Sequence, residues 1–214
     1  MTEGHSRLLY ERLTELFPAG WRDAAPWGYP HQVELALIAG VFRAQTPQAN
    51  ADAVVDYVMR SRPSSLLDDL PELIVGGVDG VVKTLGSGWG DTNVLGVPVL
   101  RAAVIHDAAQ ALVGLGVNSG DDLRRVYSEA PDAVEGAVLG VRGLGRVTWD
   151  WIGVLAQVPL RPDPEFVVFV GRLVGEKLSP AEVADLVRPT ARKFALDDRD
   201  LSHAIRELIR ARAA

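Results

Sequence analysis

Residues 140–151, Gly-Val-Arg-Gly-Leu-Gly-Arg-Val-Thr-Trp-Asp-Trp, constrain this chain more than any other stretch. One helical segment ends on glycine there, Gly143-Leu144-Gly145 turns the chain, and another helix starts at once. With so short a link the two helices must fold back on each other as a tight hairpin. Glycine lets the main chain come close to a bulky group or take positive φ, and a fresh helix start offers unpaired N–H groups with partial positive charge. Such a turn can cradle an anion, although it can equally be a plain connection between helices. One helix further on comes the acidic turn Arg161-Pro-Asp-Pro-Glu165.

The rest of the chain is helical in pattern. Residues 7–17 repeat apolar side chains at helical spacing and stop at Pro18, and residues 31–42 are apolar on nearly every face, which predicts a central, buried helix. Thr46 and Pro47 are read as the start of the next helix, and Ser64 or Ser65 as the start of a short one. Further helices are expected around 73–84, 99–115, 121–127, 131–139, 146–157, 163–174 and from Ser179, with Asp200 or Ser202 opening the last. Residues 86–98 read as a long glycine-rich loop carrying Trp89. Apart from the locally β-prone residues 167–170, no strand stands out. The fold expected is all-α, with roughly ten helices.

With 214 residues, 48% of them hydrophobic, the chain can bury a core in one large domain or two lobes. It has no cysteine, which excludes disulfides, thiolate zinc sites and iron–sulfur clusters, and its four histidines (5, 31, 106 and 203) lack metal-ligand spacing. No metal site is expected. No apolar run suits a membrane span, and the first residues lack the pattern of a signal peptide, so a cytoplasmic location is expected. The net charge of −6 means that any nucleic-acid face must be a local patch.

Three stretches, in this order, resemble the helix-hairpin-helix DNA glycosylases of the endonuclease III type: residues 37–46, ending Arg43-Ala-Gln-Thr46; residues 139–148, similar to the family pattern Leu-Pro-Gly-Val-Gly-Arg-Lys-Thr; and Asp163 opening a helix that continues through Val167, Val168, Phe169 and Arg172. The likeness runs from about residue 33 to 175. It implies two helical lobes with a cleft between them, one of residues 31–145 and one of 1–30 plus 146–214. It also implies a monomer acting on duplex DNA, probing it for a base that has been swung out.

By that resemblance Asp163 is the catalytic carboxylate, stabilising a cationic sugar or activating water; capping the helix explains the same residue. Glu165 and Asp150 are weaker substitutes. The DNA-binding set is Arg142, Gly143, Leu144, Gly145 and Arg146 at the hairpin, Gln45 to fill the vacated base position, and Trp89 or Leu95 as a wedge. Gln45 could instead bond the carbonyls at its helix end, and Trp89 could anchor its own loop. Arg43, Arg101 and Arg172 are further candidates for phosphate contacts, Tyr29, His31 and Trp27 for the base pocket, and Trp149 and Trp151 for the core. Bifunctional relatives carry a lysine where this chain has Val147, and its lysines are Lys83, Lys177 and Lys193 alone, so a Schiff-base lyase step is not expected. No cofactor is expected beyond a monovalent cation that the hairpin could hold. The expectation is therefore a monofunctional base-excision glycosylase. The alternatives are a catalytically inactive binder of DNA structure and a protein-interaction module.

Overall fold

The computed structural model describes residues 3–24, 28–44, 46–63, 65–86, 91–94, 97–159 and 162–213. Apart from one short β-hairpin it is helical, and it divides into two units, residues 28–159 and residues 1–27 with 160–214.

The contiguous unit is built on α2 (Val33–Arg43). Every residue from Val33 to Phe42 is buried, all of them apolar or glycine except Glu34. Across it lies α9 (Arg146–Leu155), and Gly40 makes the close approach possible. A Cβ there would stand 2.5 Å from Ile152 Cγ1 and 2.9 Å from its backbone nitrogen. Gly28 (φ +83) is a second such notch, its missing Cβ 2.3 Å from the Leu155 carbonyl oxygen, which accepts the Tyr29 N–H. This corrects the division expected from sequence: the second hairpin helix belongs with residues 28–145, because its inner face has its partner on α2.

Around this pair stand α3 (Gln48–Ser61), α4 (Leu70–Leu73), α5 (Gly77–Leu85), α6 (Arg101–Val113), α7 (Gly120–Glu129) and α8 (Pro131–Leu139). Ser119 caps α7 by accepting the Asp122 N–H, and Pro131 occupies the first turn of α8. Thr46, expected as a cap, instead donates its hydroxyl to the Phe42 carbonyl. Ser64 lies outside the described residues. Ser65 opens no helix, and Asp69 caps α4 by accepting the Glu72 N–H. Residues 86–98, read as loop, contain β1 (Asp91–Val94), which pairs antiparallel with β2 (Val97–Leu100), Asp91 opposite Leu100 and Val94 opposite Val97.

Two carboxylates tie the loop before α4 to α2. Glu34, fully buried, accepts from Arg62 Nη1 at 2.5 Å and from the Asp69 N–H at 3.3 Å. Asp68 accepts the N–H groups of Val33 and Gly120, joining the starts of α2 and α7.

The discontinuous unit comprises α1 (Glu3–Leu16), a 3-10 turn (Trp21–Ala24), α10 (Pro164–Val174), α11 (Pro180–Lys193) and α12 (Asp198–Ala213). Its core gathers Leu9 and Leu13 with Phe166, Val170, Leu186, Phe194 and Ile205. Ser179 and Glu182 form a reciprocal capping box on α11. The β-prone residues 167–170 are helical, one apolar face of α10 being buried in this core. The last helix starts at Asp198 rather than at Asp200 or Ser202, because Asp197 accepts the N–H groups of Arg199 and Asp200.

Candidate nucleic-acid interface

In the helical hairpin, α8 closes on Gly140, whose N–H donates to Gly136, and Leu144 N–H donates to Val141 across the turn. Gly143 has φ +105, a conformation that a side chain resists. Leu144 is buried and pins the turn to the unit. Gly145 heads α9 in an extended conformation (φ −122) open to any residue, with no side-chain cap and no atom within 4 Å of where a Cβ would stand. Of the two turn glycines, then, Gly143 supplies the backbone freedom and Gly145 supplies open space. Gly145, Arg146 and Val147 are exposed, and no described acceptor takes their backbone N–H groups. These donors, together with the helix dipole, form a seat for an anion.

The side chains nearby are less cationic than the sequence suggests. Arg146 is tied back to Glu135 at 2.6 Å and to Asp150 at 3.4 Å. Burial pushes the Glu135 carboxyl up, but Arg146 and the Tyr127 hydroxyl outweigh it and hold the group ionised. Arg142 is exposed and makes no ion pair with a described residue. Unit by unit, residues 28–159 carry 15 acidic and 9 basic side chains, whereas the other unit carries 13 of each. All of the net negative charge therefore sits in the unit with the hairpin, and the backbone donors, not the side chains, are its attraction for an anion.

Asp163 caps α10. Its Oδ1 accepts the Phe166 N–H at 2.9 Å and its Oδ2 is paired with Arg206 on α12, whose guanidinium stacks on Phe166. Burial raises the Asp163 carboxyl, but the Phe166 N–H and Arg206 outweigh it, so the group stays below the ordinary carboxylate range. It is a fixed anion with both oxygens engaged. Glu165 is exposed, and Asp150 is committed to Arg146.

Tyr29 is half-buried, its hydroxyl pushed up by burial and influenced by Arg43, Asp52 and Asp56. His31 is exposed, with Nδ1 3.8 Å from Asp121 at the start of α7. Gln45, Trp89, Leu95 and Trp27 lie outside the described residues. Arg43 is drawn into a cluster of its own, 5.3 Å from the Trp151 ring and 3.3 Å from Asp52, and is not held out for a phosphate. Arg101 lies 5.0 Å from the Phe42 ring. Trp149 is in the core as expected, whereas Trp151 is half-exposed beside Arg43. Among the described residues no three His, Asp or Glu side chains are grouped to hold a metal ion, and no helix is long and apolar enough to cross a membrane.

Fold and site together define a protein that is helical apart from one short β-hairpin, with an uncapped, exposed helix start at a glycine turn and a fixed carboxylate at the head of a second helix. Residues 12–210 match the family described as Domain of unknown function (DUF8548), and the chain belongs to that family. No curated protein and no solved structure matches it.

Proposed function

We propose that this protein binds the DNA backbone through α8, the glycine turn and α9, as a helix-hairpin-helix glycosylase does, with the two units as the lobes of that fold. In this reading it removes a damaged or modified base from duplex DNA by hydrolysis. The observation that carries it is the open seat at Gly145, where three backbone N–H groups have no described acceptor. Departure of a base leaves a cationic sugar, and Asp163, held ionised, suits the stabilisation of that charge. Its depressed pKa makes it a poor proton acceptor, so an electrostatic role fits better than a general-base role. Val147, exposed on the first turn of α9, offers no amine for an imine, and the bond is cleaved without a lyase step.

A second reading, a DNA binder without excision, is favoured by the Arg206 pair, which offsets the Asp163 charge and occupies one of its oxygens. A base-release screen over lesion-bearing duplexes, followed by alkaline cleavage, separates the two. Excision predicts free base from at least one lesion, strand breaks only after alkali, and loss of both in Asp163→Asn with the fold intact. Binding without any base release, unchanged in Asp163→Asn, would establish the second reading.

A further inference from the structure

The discontinuous unit contains a groove of about 450 Å³ between α1, α10 and α12, lined by Arg12, Arg172 and Arg212 over Leu8, Leu16 and Leu173. Most arginines elsewhere in the described chain are tied to carboxylates, as Arg7 is to Glu11, Arg62 to Glu34 and Glu72, and Arg199 to Asp197. Here Arg172 and Arg212 are exposed and make no ion pair with a described residue, and Arg12 reaches only Glu15, at 3.3 Å. Three guanidinium groups against one carboxylate leave two positive charges around one concavity. Arg172 and Arg212 stand in the last turns of their helices, where a cation complements the dipole. That accounts for each of them separately, but not for their meeting Arg12, from the middle of a third helix, around a single groove. Arg172 also lies nine residues along α10 from Asp163, about 13 Å at the helical rise, so this groove is a separate place from the carboxylate.

We propose that the groove binds a phosphate monoester. The dianion matches the two uncompensated charges, guanidinium forks suit phosphate oxygens, and the leucines provide a floor for the apolar part of the ligand. The volume lies within the range of about 300–1,000 Å³ usual for small-molecule sites. Such a group could belong to a free nucleotide or to the 5′ end of a nucleic-acid strand.

Calorimetric titration of the full chain with AMP, inorganic phosphate, acetate, and a short single strand with and without a 5′ phosphate tests this. AMP is expected to bind, acetate not to bind, and Arg172→Ala with Arg212→Ala to weaken AMP by about tenfold or more, two charge-assisted contacts being lost. The paired lysine substitutions should keep part of that affinity, and circular dichroism should show all variants folded. Tighter binding of the phosphorylated strand than of AMP assigns the group to a nucleic-acid end, and the reverse assigns it to a free nucleotide. AMP affinity unchanged in the folded double-alanine variant, or no binding of any phosphate probe, overturns the proposal. Arg142→Ala, on the hairpin, should leave AMP binding unchanged, so this site and the DNA reading can fail independently.

Discussion

Gly145→Asp should make the protein more stable and a worse DNA binder. The position has extended backbone that aspartate adopts freely, no atom within 4 Å of the new Cβ, and no existing cap on α9. An aspartate there can accept an N–H of the first turn and complement the helix dipole. Against glycine this is worth about 0.5–1 kcal/mol. The same carboxylate occupies the seat proposed for a phosphate. Two unit charges about 4 Å apart at an effective dielectric of about 20 repel by about 4 kcal/mol, and salt reduces that. Duplex affinity should therefore fall by about 100-fold or more at low salt. Gly145→Ser adds a cap without the charge and should lose much less. Fluorescence anisotropy with a labelled duplex at two salt concentrations, beside urea unfolding, reads both quantities. Wild-type duplex affinity in Gly145→Asp would refute the seat. An equal loss in Gly145→Ser would show that bulk, not charge, is what the turn excludes.

Asp163→Ala should be less stable in urea than Asp163→Asn by about 1 kcal/mol, because asparagine keeps the cap on α10 while both lose the Arg206 pair. The Asp163 carboxyl is lowered on folding, so its contribution is complete above the ordinary carboxylate pKa and is lost as pH falls through the lowered value. The stability gap between wild type and Asp163→Asn should thus hold between about pH 5 and pH 8 and shrink below about pH 4. A gap that grows on acidification would contradict the ionised state. Ala195 sits at φ +56 after α11, exposed, so Ala195→Gly should stabilise by about 0.5–1 kcal/mol; a loss in the urea midpoint would count against the strain. Gly40→Ala should destabilise by about 3 kcal/mol, because its methyl meets the Ile152 backbone as well as the side chain. A wild-type urea midpoint would show that α2 and α9 are not so closely packed.

The signals legible in the sequence were local ones. Pro131 and the Ser179–Glu182 box lie beside the helices they start, and Gly143 beside the turn it permits, so spacing alone locates them. Misread starts share one cause. The hydroxyl of Thr46 had a nearer acceptor in the Phe42 carbonyl, and competing carboxylates at Asp69 and Asp197 took the caps expected elsewhere. The pairing of residues 91–94 with 97–100 is not legible because glycines and Pro98 weaken any strand pattern there. At the site, Asp163 was legible as a cap, but its partner Arg206 lies 43 residues away and nothing local couples them. The Arg146–Asp150 pair follows from helical spacing, whereas Glu135, which neutralises Arg146 more closely, reaches it from the other arm of the hairpin.

The unit formed by residues 1–27 and 160–214 also sets an order of events during synthesis. When α1 leaves the ribosome, the helices that cover Leu9 and Leu13 have yet to be translated, and the whole middle unit must emerge first. That middle unit can fold as soon as it is complete, whereas α1 waits with its apolar stripe uncovered until α10, α11 and α12 have followed. A chain truncated at residue 159 and released should therefore show a protease-resistant centre and a cleavable helix α1.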